Sequence, residues 1–168
     1  MATPGFSELS RRQDHIWAQW LALTAQLPAQ LSRDVQAEAQ VSLPDFDVLG
    51  QLTVRPDARA RVAELARSLG WERSRLSHHV TRMAERGLVR REECPNDGRG
   101  AFVVLTTEGR GALERAAPVH ARAVRRLLFD VLTRDDVESF ATVIDKVLTR
   151  LDLEARSSSV QAGSASSP

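Results

Sequence analysis

Between residues 72 and 91 the chain gathers hydroxyl, imidazole and guanidinium side chains at helical spacing. Leu76, Val80 and Met83 recur as one apolar stripe. At about 100° per residue, the opposite face carries Ser74, His78, Thr81 and Glu85, flanked by Arg75 and Arg82, with Ser77 close by. Short hydroxyls allow close approach to a partner. A guanidinium is a planar fork of donors that matches phosphate oxygens or a guanine edge, and His or Ser reaches base edges or phosphates. This is the chemistry of a helix seated in the major groove of double-stranded DNA. A convergent set of nucleophile, base and oxyanion donors is not found, so no catalytic residue is assigned and no enzymatic activity is expected.

A second group of candidates follows the helix. Arg90 and Arg91 lie on a strand and suit phosphate contacts. Arg99 stands between Gly98 and Gly100 at a tight tip, placed to enter a narrow minor groove, with Asp97 two residues earlier to brace it.

These residues need a frame. Val62, Leu65, Ala66 and Leu69 predict a short helix with one buried face, and Gly70 falls where a left-handed cap residue belongs. The helix of Glu72 to Arg86 ends at Gly87. Strands are expected from Val89 to Glu92 and from Ala101 to Leu105, joined through Asn96-Asp97-Gly98. Helix, glycine turn, helix and two-stranded hairpin make a winged helix-turn-helix.

On the N-terminal side, apolar residues from Ile16 to Leu31 predict a helix that Pro28 breaks or kinks, then a short helix from Leu31 to Ala39. Ser42 and Asp45 form a capping-box pattern with Pro44 in the first turn, opening a helix through Phe46, Val48, Leu49 and Leu52. Arg55-Pro56-Asp57 reads as a turn. On the C-terminal side, a long helix from Thr107 to about Leu128 contains Pro118, and Thr133 with Asp136 opens a last helix through Leu151. Ala155 to Pro168 shows no periodicity and is expected to be a disordered tail.

The run Val62-Ala63-Glu64-Leu65-Ala66, Leu69-Gly70, Ser74-Arg75-Leu76-Ser77 and Arg82 to Arg91 resembles the MarR family of bacterial transcriptional regulators. So do Asp97-Gly98-Arg99 and Val103 to Gly109, and the likeness extends over roughly residues 11–151. Glu72 departs from it, standing where such helices more often begin with Ser or Thr. The resemblance implies a homodimer joined through the first and last two helices, a pseudo-palindromic operator, and release of DNA by a small, often anionic aromatic, effector. The expected organisation is therefore mainly α with a small β-hairpin wing. Residues 1–54 form N-terminal helices for dimerisation and a ligand crevice, 55–107 the DNA-binding domain, 108–154 the C-terminal dimerisation helices and 155–168 the tail. The terminal helices are too apolar for solvated tails, which agrees with that division.

For the effector, Trp17 and Trp20 on the first helix, near Arg11 and His15, offer an indole wall beside cations. Phe46 and Asp45 are secondary candidates, and packing in a dimer core is the competing role for both Trp residues. Trp71 is expected in the core. Cys94 lacks a second Cys to resolve against, so the sequence does not point to a redox sensor. Adjacent His78 and His79 point about 100° apart and His120 stands alone, so no metal site is expected, and no cofactor.

Composition bounds the rest. The 168 residues carry 23 basic and 22 acidic side chains, a net +1, which excludes a bulk polycation. Lys146 is the single lysine, so the other 22 basic residues are Arg. Residues 1–54 hold 3 basic and 6 acidic groups, 55–107 hold 11 and 7, and 108–168 hold 9 of each. The positive excess thus lies in the winged segment. No apolar run nears the roughly 18 residues of a membrane span and no signal peptide is seen, so no membrane partner and a cytoplasmic location are expected. The alternative is a protein-interaction module on a winged-helix scaffold with no small-molecule effector, whose second helix would have lost the basic and hydroxyl residues this chain keeps.

Overall fold

The computed structural model describes residues 8–93 and 101–164. The chain divides into two compact units at Val124 and Arg125.

In the first unit, α1 (Arg11–Ala39) opens with a capping box that the sequence reading missed. The Ser10 Oγ accepts from the Gln13 N–H at 3.3 Å, and Gln13 Oε1 accepts from the Ser10 N–H at 2.8 Å. The expected break at Pro28 does not occur: α1 is one element of 29 residues. Proline removes one helical donor and costs about 3 kcal/mol. Beyond it, Leu31, Val35 and Ala39 are buried. Burying Leu31 and Val35 returns about 1.5–3 kcal/mol each, enough to carry the helix through.

The capping box of Ser42 and Asp45 forms as expected and starts α2 (Leu43–Thr53). The following turn ends in two left-handed non-glycine residues, Asp57 (φ 56°) and Ala58 (φ 48°). It delivers a strand the sequence did not signal, β1 (Arg59–Arg61). Three residues with one buried side chain, Ala60, carry no readable alternation.

Next come α3 (Val62–Leu69) and α4 (Arg73–Glu85), the expected helix pair. Gly70 joins them at φ +64°, where a side chain would strain the backbone. Trp71 N–H donates to the Ala66 carbonyl at 2.9 Å and closes the turn. As the sequence implied, Glu72 gives α4 no side-chain cap.

The wing contains the two expected antiparallel strands, and a third strand joins them to make a three-stranded antiparallel sheet. β2 (Val89–Glu93) and β3 (Ala101–Leu105) pair with Val89 opposite Leu105. β1 pairs with the other edge of β3, Ala60 opposite Val103, so the order is β1-β3-β2. α5 (Thr107–Leu127) then begins hard against Gly87 and Leu88, the segment that follows α4. A Cβ on Gly109 would lie 1.9 Å from the Leu88 carbonyl oxygen. Thr106 holds this junction: its hydroxyl lies 2.6 and 2.9 Å from the Gly87 and Leu88 carbonyls and accepts the Gly109 N–H at 3.0 Å. The core joins Val48, Leu49 and Leu52 of α2 to Leu65, Leu76, Val80, Met83, Val103 and Ala116.

In the second unit, α6 (Arg134–Ser164) begins at the predicted cap. Asp136 Oδ2 accepts the Thr133 N–H at 2.9 Å, and the Thr133 hydroxyl accepts the Asp136 N–H at 3.2 Å. The Thr133 hydroxyl also donates to Asp136 Oδ2 at 2.6 Å, and this bond, with the one from the Thr133 N–H, holds the Asp136 carboxyl below its ordinary range. The helix runs through Ser164, past Ala155 where a disordered tail was expected. Propagating an existing helix needs little, and no proline follows until Pro168.

Candidate nucleic-acid interface

The stripe Leu76, Val80 and Met83 is fully buried, which fixes how α4 is turned. Ser74, Arg75, His78, Thr81 and Arg82 are then exposed, and Ser77 is half-buried. Two of these are already oriented by the protein. The Arg75 guanidinium lies 4.5 Å over the Trp71 ring. Arg82 Nη2 lies 3.3 Å from His79 Nδ1. Trp71 is half-buried and packed on the core, as the sequence suggested.

The wing reaches the helix through Arg91. Its Nη1 donates to the Thr81 hydroxyl at 3.1 Å, and that hydroxyl donates to the Ser77 carbonyl at 3.0 Å. Arg91 is thus tied to the outward face of α4. Arg90 is exposed and pairs with Glu92. Asp97, Arg99 and Cys94 lie outside the described residues.

Sequence reasoning missed further basic residues. Arg59 and Arg61 of β1 lie 4.0 and 5.4 Å from the Phe102 ring centroid, and Arg59 also pairs with Glu92 at 3.8 Å. They belong to a strand that only its pairing with β3 reveals.

The second omission lies behind α4. Asp45 is fully buried, yet it holds charge partners. Arg86 Nη1 lies 2.8 Å from its Oδ2 and His79 Nε2 lies 3.1 Å from its Oδ1. Burial alone pushes this carboxyl up. Hydrogen bonds from His79, Ser42 and Arg86, with the Arg86 charge, outweigh burial and hold it well below the ordinary carboxylate range. The start of α2 is thereby clamped to the end of α4. The capping-box pattern located Asp45, but nothing local linked it to residue 86, 41 positions later.

The effector candidates lie on two helices, α1 and α2. Arg11, His15, Trp17 and Trp20 are exposed on α1. Phe46 is half-buried and stacks on His120, with centroids 4.6 Å apart. Burial raises the neighbouring Asp47 carboxyl, and the charge of His120 lowers it in part. A cavity of about 340 Å³ opens between Glu38, Gln40, Arg86, Glu108 and Arg115, and none of the five sequence candidates lines it. Among the described residues no group of three or more His, Cys, Asp or Glu is placed to hold a metal. No helix there is long and apolar enough to cross a membrane.

A glycine-hinged helix pair whose second helix shows hydroxyls and guanidiniums, braced by a three-stranded wing sheet, defines a winged-helix DNA-binding protein. Known proteins agree. Residues 39–100 match the MarR family. The multiple antibiotic resistance protein MarR of Escherichia coli K12 is 30% identical over 108 residues, 64% of this chain and 74% of that one. Sco3205, a MarR family transcriptional regulator of Streptomyces coelicolor solved in complex with DNA, is 37% identical with a TM-score of 0.77, covering 83% of this chain and 88% of that one. AbsC, from the same organism and family, is 33% identical with a TM-score of 0.77, covering 86% and 97%. The chain belongs to the MarR family. It is a DNA-binding transcriptional regulator, not an enzyme.

Proposed function

We propose that this protein is a homodimeric repressor of the cytoplasm that binds a pseudo-palindromic operator and releases it when a small effector binds. The observation that carries the reading is the outward face of α4: Ser74, Arg75, His78, Thr81 and Arg82 stand exposed over a fully buried stripe. Sco3205, solved with DNA, supports it. The dimer is supported by large apolar side chains left exposed on the single chain. Ile16, Trp17, Trp20 and Leu21 on α1, and Val143, Val147, Leu148 and Leu151 on α6, are each at least 44% exposed. A two-fold dimer sets two copies of α4 about 34–36 Å apart, one turn of DNA. In this reading Arg75 and Arg82 read bases, and Arg90, Arg91 and Arg99 with Asp97 hold the backbone and minor groove. The effector, an aromatic anion, enters beside Arg11, His15, Trp17, Trp20 and Phe46. It lowers DNA affinity by its preference for the unbound conformation.

Selection of bound fragments from genomic DNA tests the reading and yields the operator. Enrichment of a two-fold symmetric sequence is expected, with an affinity that falls steeply with salt. Arg82→Ala should weaken operator binding by about 1–3 kcal/mol per half-site. No enrichment, with binding insensitive to salt, would favour the protein-interaction module instead.

A further inference from the structure

His79 occupies an unusual place on α4. Its side chain is 12% exposed, while its neighbours His78 and Arg82 face solvent. It touches both the clamp behind the helix and the surface in front. Nε2 lies 3.1 Å from Oδ1 of buried Asp45, and Nδ1 lies 3.3 Å from Arg82 Nη2. A guanidinium carries donors only, so Nδ1 must accept from it. The ring proton then sits on Nε2, facing the carboxylate. Both contacts therefore call for one neutral tautomer. The edge of Trp71 meets the same ring, with centroids 5.5 Å apart at 82°. On the far side of Asp45, Arg86 and the Ser42 N–H hold Oδ2. The imidazole is thus backed by a carboxylate that is itself fully buried.

We propose that His79 is a positioning residue for DNA reading: the Asp45 carboxylate, 3.1 Å from Nε2, favours a proton on that nitrogen, and Nδ1 accepts from the Arg82 guanidinium and holds it in one orientation on the outward face of α4. The inference rests on the reading of Arg82 as a DNA contact. One of five guanidinium donors is used, which leaves four for a base or a phosphate. An arginine ordered before DNA arrives loses less rotamer freedom on binding.

The test uses the full-length protein and its selected operator fragment, with affinity measured by fluorescence anisotropy. Asn places its side-chain oxygen at the depth of Nδ1, whereas Gln reaches the depth of Nε2. H79N keeps the acceptor for Arg82, and H79Q keeps a donor for Asp45. H79N is expected within about twofold of the wild type, and H79Q to lose about three- to tenfold, the span of one hydrogen bond. In an R82A background H79Q should cause no further loss. The reverse order of the two variants, equal affinities, additive losses with R82A, or failure of H79Q to fold would each overturn the proposal. If R82A alone binds like the wild type, the reading of Arg82 falls and takes this inference with it. If R82A is weakened while H79N and H79Q bind equally, the reading stands and only the role of His79 is lost.

Discussion

The winged part of the chain and its two long terminal helices treat their apolar residues in opposite ways. In the first, Leu49, Leu52, Leu65, Leu76, Val80, Met83 and Val103 have no exposure at all. On α6, Val143, Val147, Leu148, Leu151 and Leu153 are each more than half exposed, and the N-terminal half of α1 is similar. The winged part encloses a core of its own. α6 and the N-terminal half of α1 repeat apolar side chains at helical spacing that stay exposed among the described residues. That contrast separates stability from assembly: defects in the winged part should unfold it, and defects on the exposed faces should change what the chain associates with.

The strongest expected break falls at the tightest contact. Gly109→Ala places a methyl 1.9 Å from the Leu88 carbonyl oxygen, so α5 must move away from the wing. A loss of at least about 3 kcal/mol is expected in urea titrations, with α3 and α4 losing amide protection together. Wild-type stability in this variant would mean that α5 is not fixed to the wing at all.

A smaller effect is expected at Asp45. Its carboxyl titrates lower in the folded state than in the unfolded one. Its stabilising contribution is therefore complete above the unfolded value of about 3.9 and is lost as pH falls through it toward the folded value. Asp45→Asn should lower stability at pH 7 by about 2 kcal/mol, a discounted figure because the Arg86 side chain is half exposed. The variant should also decline less steeply than wild type below pH 4. Parallel acid melts would show that the clamp contributes nothing.

The smallest effect on the winged part is expected from Val147→Asp combined with Leu151→Asp. Amide protection in α3 and α4 should stay at its wild-type level while sedimentation shifts from dimer to monomer. A dimer that survives both charges would place the interface elsewhere.

How much of this was legible in the sequence follows the range of the interactions. Local signals survived intact: the capping pairs Ser42/Asp45 and Thr133/Asp136, Gly70 at the bend, and the stripe of α4 all act within a few residues. The outward residues of α4 followed from that stripe. What stayed hidden depends on partners far along the chain. β1 exists because β3 pairs with it, and Asp45 matters because Arg86 and His79 arrive beside it. Pro28 misled for the same reason, since burial beyond it decides whether the helix continues.

The strand order has a consequence for how the protein is made. β3 is the middle strand, so β1 and β2 depend on it and not on each other. Arg59 leaves the ribosome 45 residues before its partner Val104. Until then the nascent chain carries two unpaired strand edges, the state most open to mispairing with another chain. Closure of the wing is therefore a late, non-local step of folding. A chain interrupted before Ala101 would hold the whole of α4 but lack the strand that completes the sheet beside it.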